Sequence, residues 1–262
     1  MQPLRRTLML LMVALPLALA ACGGSSSAAP ATSPTGAPIT LNVFAAASLT
    51  GAFKDAIRAF EKTHTNVTVV PNFGGSNTLA QQITNGAPAD VFASANTTQM
   101  TVVVTGGAVD QGAVKNFARN KLVIITPKAN IGKITQPQDL AKAGLKIVLG
   151  AKGVPVGDYG VQFLANASKD PSYGAAYQAN VLKNVVSYET DVKAVLNKVQ
   201  LGEADAGIVY TTDAATAAGA VSQITIPDTL NVIATYPIAP IKASAHLDVA
   251  NQFVSAILAA ED

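Results

Sequence analysis

The hydrophobic period of the chain changes at Ser48, and that change limits the folds open to it. Residues 39–45 form an apolar, β-prone run, as a buried strand requires. From Leu49 onward the apolar positions are Leu49, Ala52, Phe53, Ala56, Ile57 and Phe60, which share one helical face. A strand that stops against a helix start brings unpaired backbone N–H groups and the positive end of the helix dipole to its carboxyl end. Such a place suits an anion. Ser48 stands where an N-cap belongs, and capping its own helix is the plainer role for it.

The junction recurs. Residues 67–73 read as a second strand, with Pro71 bending it or placing it near an edge. Gly74-Gly75-Ser76-Asn77-Thr78 then opens a helix with Leu79 and Ile83 on one face, so Ser76 repeats the setting of Ser48. A third junction follows the strand at 145–149, where Val154-Pro155-Val156-Gly157 opens a helix to about residue 167 and Pro155 suits its first turn. A fourth follows the strand at 185–188. There Thr190 or Asp191 can cap a helix whose inward face is Val192, Val195, Leu196 and Val199. Further strands are expected at 89–93, 122–126, 206–210, 221–226 and 232–241, and helices at 97–105, 137–143, 212–218 and 247–259. The β-branched run at 122–126 has the look of a buried parallel strand. Alternating strands and helices make the class α/β, in which ligands bind at the carboxyl ends of parallel strands.

The first residues are of another kind. Arg5 and Arg6 precede an apolar stretch at 8–19 that is too short for a stable membrane-spanning helix. It ends in Leu19-Ala20-Ala21-Cys22, which resembles a bacterial lipobox; the alternative is an ordinary secretory signal with an incidental Cys. Residues 1–22 are therefore expected to be a lipoprotein signal, with Cys22 lipidated. Residues 23–38, rich in Gly, Ser, Ala, Thr and Pro, are expected to be a flexible tether. Cys22 is the single Cys, so no disulfide can form within the body, whose stability must come from packing. The apolar content of 49% allows a sizeable core.

Of 18 basic side chains two lie in the leader, which leaves 16 against 16 acidic ones. A neutral body without basic clusters argues against nucleic acid as a partner. An anion would have to be held by local geometry rather than by a basic field. The sequence has no G-x-S-x-G, S-x-x-K, H-E-x-x-H, Walker or G-x-G-x-x-G motif. His64 and His246, the only histidines, lie among polar residues and read as solvated. No catalytic residue, cofactor or side-chain metal site is expected. Asp205 and Asp213 read as a residue before a strand and as the cap or first turn of a helix.

Several motifs occur in order: Phe44-Ala45-Ala46-Ala47-Ser48-Leu49, Ser76-Asn77-Thr78-Leu79-Ala80, Gly86-Ala87-Pro88-Ala89-Asp90-Val91-Phe92, Asn120-Lys121-Leu122-Val123, Val154-Pro155-Val156-Gly157 and Gly202-Glu203-Ala204-Asp205-Ala206-Gly207-Ile208-Val209-Tyr210. Together they closely resemble the molybdate-binding proteins of bacterial molybdate ABC transporters, over residues 39–242. The resemblance implies a two-lobed type II periplasmic binding protein fold, two α/β sandwiches joined by a two-strand hinge. Lobe 1 would comprise 39–119 with 231–262, and lobe 2 would comprise 120–230. It implies a non-enzymatic, monomeric binder, tethered outside the cell membrane, that takes molybdate or tungstate in the interlobe cleft and delivers it to a membrane permease.

Carried over by motif, the ligand contacts would be Ser48, Ser76 and Tyr210, with backbone amides at Val156, where many members carry Ala, and at Val192. These donors are all neutral. Members commonly continue through a further short helix after the last one here, a departure expected to touch lobe packing and no ligand contact. A sulfate or other tetrahedral oxyanion receptor is the nearest alternative. A secreted serine hydrolase using Ser48 or Ser76, or a purely structural surface lipoprotein, is more distant.

Overall fold

A computed structural model describes residues 36–260. The expected leader, with Cys22, and most of the expected tether lie outside the described residues.

The chain opens with β1 (Ile39–Ala46), a 3-10 turn at Ala47–Leu49, α1 (Thr50–Thr63), β2 (Val67–Gly74) and α2 (Ser76–Thr84). Then come β3 (Val91–Ala93), α3 (Thr97–Thr105), β4 (Lys115–Asn120), β5 (Leu122–Pro127), β6 (Ile147–Gly150), α4 (Pro155–Ala167) and α5 (Tyr177–Lys183). The rest is β7 (Val185–Glu189), α6 (Val192–Gln200), β8 (Ala206–Tyr210), α7 (Thr211–Thr216), β9 (Val221–Thr225), β10 (Ala234–Pro240) and α8 (Leu247–Ala259). Two five-stranded sheets result, ordered β2-β1-β3-β10-β4 and β7-β6-β8-β5-β9. This is the two-lobed α/β architecture of the periplasmic binding proteins.

Each sheet has three parallel strands and then antiparallel pairing. In the first, β1 runs parallel to β2 and β3, while β10 runs antiparallel to β3 and β4. In the second, β6 runs parallel to β7 and β8, while β5 runs antiparallel to β8 and β9. The run at 122–126 is thus buried as its composition demands, yet its partners on both sides are antiparallel. A continuous apolar run reports burial on two faces, which a central strand has in either direction. Pro71 lies in β2 at the edge of its sheet, where the missing N–H costs no ladder bond.

Two elements carried little sequence signal. In β4, Lys115-Asn116-Phe117-Ala118-Arg119-Asn120, only Phe117 is buried, as suits a charged edge strand. The seven-residue α5 buries only Tyr177 and Val181. The short helix expected at 137–143 is a 3-10 turn at Pro137–Ala141.

The chain passes between the sheets twice, at β4–β5 and at β9–β10. Asn231 ties the crossings together: its Oδ1 accepts from Leu122 N–H (3.0 Å) and its Nδ2 donates to Leu122 O (2.9 Å). Around this seam the core is continuous, from Phe53, Phe117 and Phe253 beside the first sheet to Phe163, Val195 and Ile208 beside the second. A separate apolar cluster, including Phe44, Leu79, Phe92 and Met100, covers the other face of the first sheet. No helix among the described residues is long and apolar enough to cross a membrane.

Candidate functional site

The carboxyl ends of β1, β2 and β8 and the starts of α2, α4 and α6 converge on one small cavity of about 10 Å³. It is lined by Ser48, Gly75, Ser76, Pro155, Val192 and Tyr210, with Ala95, Val154, Asp191 and other small residues between them. Four of the five expected contact residues therefore face one space. Val156 does not line it; Val154 and Pro155 do, and Val156 follows directly in the first turn of α4.

Neither Ser is a cap. The residue before the 3-10 turn is Ala46 and the residue before α2 is Gly75, and neither helix start has a side-chain cap bond. Ser48 is the second residue of its turn and Ser76 the first of α2, positions where backbone N–H groups have no intrahelical acceptor. Their hydroxyls are engaged as acceptors. Ser76 Oγ, buried, accepts from Ala95 N–H at 3.0 Å, and Ser48 Oγ accepts from Tyr236 O–H at 3.2 Å. Each hydroxyl proton remains free to point into the cavity.

The other two helix starts reach the same result by different means. In α4 the first residue is Pro155, which has no N–H, so the first amide is that of Val156. A Cβ at Gly157 would lie 2.2 Å from Gly150 O, so only Gly lets this turn seat against the end of β6. In α6 the cap is Asp191, whose Oδ1 accepts from Lys193 N–H (2.8 Å) and Ala194 N–H (3.0 Å). The amide of Val192 is the one left without an acceptor in that turn.

Tyr210 ends β8 with 1% of its surface exposed, and its hydroxyl has no hydrogen-bond partner among the described residues. Burial pushes that phenol well above its usual range, so it stays a protonated donor. Its ring packs edge-on to Tyr236, centroids 5.8 Å apart. No Lys or Arg lines the cavity. The nearest cation on α6, Lys193, is paired at 2.7 Å with Asp213, which is buried, and whose carboxyl is raised by that burial against the opposing pull of Lys193. Asp213 lies in the first turn of α7, as its sequence position indicated, but it is not solvated. Nor is His64 fully solvated: its ring stacks on Phe60 at 3.9 Å. Among the described residues there is no group of three His, Cys, Asp or Glu that could hold a metal.

The two halves touch across this cavity. A Cβ on Gly75 would lie 2.3 Å from Thr190 O, so the first half presses its bare backbone against the second. Beside it, Gln99 Nε2 donates to Gly153 O at 3.0 Å. Sequence reasoning missed Gly75, Gln99 and Tyr236. The Gly pair marked the junction between strand and helix but not what would face it.

The model of the bacterial extracellular solute-binding proteins matches residues 41–261. The molybdate-binding protein ModA of Mycobacterium tuberculosis is 39% identical over 242 residues, 92% of this chain and 88% of that protein. This chain belongs to that family. Among solved structures, the periplasmic molybdate-binding protein of Azotobacter vinelandii superposes with a TM-score of 0.69 at 25% identity, covering 84% of this chain and 97% of the other. A sulfate-binding protein of Mycobacterium tuberculosis gives a TM-score of 0.74 at 16% identity, over 84% and 82%, a likeness of fold alone. Family membership makes the chain an extracytoplasmic solute-binding protein, and proteins of this kind bind and release without making or breaking bonds.

Proposed function

We propose that this protein captures molybdate, and tungstate with it, between its two halves and hands it to the permease of an ABC transporter. The observation that carries the reading is the buried, unpartnered hydroxyl of Tyr210 in a cavity where the hydroxyls of Ser48 and Ser76 and the amides at the helix starts also have protons to spare. A buried hydroxyl without a partner costs about 1–3 kcal/mol, and an acceptor placed there removes the cost. The donors would be the hydroxyls of Ser48, Ser76 and Tyr210 and the amides of Ser48, Ser76, Val156 and Val192. Hydrogen bonds to a charged acceptor contribute roughly 1.5–3 kcal/mol each, so such an array outweighs the desolvation of a small dianion without a cation.

The array also selects. A fully deprotonated tetrahedral dianion accepts from every donor, whereas protonated phosphate brings an O–H that needs an acceptor. Sulfate has the right charge and shorter bonds, and fits a molybdate-sized cage loosely. The jaws would be 39–119 with 231–262 and 120–230, closing because both supply donors. Lipidation at Cys22 would hold the protein at the outer face of the cell membrane. The A. vinelandii and M. tuberculosis molybdate-binding relatives support this cargo.

The test is a thermal-shift titration of the body downstream of Cys22 with molybdate, tungstate, sulfate and phosphate. A ligand that binds only the native state raises the melting temperature as its concentration passes Kd. Molybdate and tungstate are expected to act at micromolar concentrations and the other two not to. A larger shift with sulfate would move the cargo to sulfate, and no shift with any anion would overturn the reading.

A further inference from the structure

The Ser48 hydroxyl reaches the cavity already oriented, and the residue that orients it stands outside the cavity. Tyr236, on β10 and 2% exposed, donates to Ser48 Oγ at 3.2 Å. Its ring is fixed between Phe117 (centroids 6.2 Å apart) and Tyr210 (5.8 Å), both edge-on. At this contact the phenol is the donor and the Ser48 hydroxyl the acceptor.

We infer that Tyr236 is a positioning residue for the proposed anion site, holding Ser48 as a donor toward the cleft and so excluding protonated oxyanions. The inference rests on the function proposed above. A Ser hydroxyl can donate or accept by rotating. With Tyr236 donating to it, its proton must turn away from Tyr236, and it meets the ligand as a donor. Without that phenol the hydroxyl rotates freely and can offer a lone pair to the O–H of hydrogen phosphate.

The measurement is calorimetric titration of wild type, Tyr236→Phe, Ser48→Ala and the double variant with molybdate and with inorganic phosphate. Tyr236→Phe is expected to weaken molybdate about tenfold, the scale of one directed hydrogen bond. It should leave phosphate unchanged or tighter, so that the molybdate-to-phosphate ratio falls. In the Ser48→Ala background the same change should add less than about twofold, because the group it positions is gone. If Tyr236→Phe weakens both anions by one factor, or its effect multiplies with that of Ser48→Ala, the inference is overturned and Tyr236 is a packing residue. Should Tyr236→Phe not fold, Tyr236→Met, whose flexible side chain fills the space without a hydroxyl, is read by the same ratio. Absence of molybdate binding by wild type would overturn the function itself. Binding by wild type with an unaltered Tyr236→Phe overturns only the role of Tyr236.

Discussion

Removing the hydroxyl of Tyr210 takes away a buried polar atom with no partner, whereas removing that of Ser76 strips a partner from the buried amide of Ala95. The two changes should therefore part company in the unliganded protein. Tyr210→Phe is expected to raise unfolding stability by about 1 kcal/mol, and Ser76→Ala to lower it by about 1–3 kcal/mol. Each should weaken molybdate by roughly ten- to hundredfold, since each deletes one donor to a dianion. Chemical denaturation without anion, set beside calorimetric titration with it, separates the two effects. A Tyr210→Phe protein less stable than wild type would mean that its hydroxyl has a partner after all. Asp191 gives a third contrast. Asn caps a helix about as well as Asp, so Asp191→Asn should keep α6 intact while removing a negative charge from the cavity wall. Tighter molybdate binding by a few fold, read by the same titration, is the expected result.

Elements were legible where a strong period met a strong boundary. Pro155 opening α4 and the stripe Val192, Val195, Leu196 and Val199 in α6 fall where the pattern put them. The polar edge strand β4 did not announce itself, because a strand with one buried side chain has no alternation to detect. Nor did the antiparallel setting of β5, because strand direction is decided by partners far away in sequence. At the candidate site, Ser48, Ser76 and Val192 were legible as strand-to-helix junctions and Tyr210 through the motif resemblance, but Tyr236 was not. It comes from residue 236 to meet residue 48, and local pattern carries no trace of that meeting. The turn at Pro137–Ala141 is held by Asp139. Burial would raise its carboxyl, but the amide and hydroxyl of Thr135, with Lys142 and Gln136, bring it down to about 2. A carboxyl lowered in the folded state adds stability at pH values above its unfolded pKa, and loses it as pH falls through the folded value. Asp139→Asn should cost stability at neutral pH and flatten the dependence between about pH 4 and pH 2. Denaturation midpoints across that range check the sign.

For the whole molecule, closure depends on bare backbone. A methyl group on Gly75 would collide with Thr190 O, so Gly75→Ala should keep the halves apart while leaving each folded. Small-angle scattering is expected to show wild type contracting on molybdate addition and the variant not doing so, with affinity falling in step. A variant that contracts like wild type would mean that the halves can shift to make room. The strand order holds one more consequence, which concerns time. All strands of the second sheet lie between Leu122 and Thr225, so that sheet can form as soon as its own stretch of chain exists. The first sheet cannot, because β10 sits between β3 and β4 and is made more than a hundred residues after them. Until then β3 can pair only with β1, and β4 has no neighbour in its sheet. A chain built in this way can complete its middle sheet first, while its first sheet waits for a strand from near the far end of the chain to come back and close it.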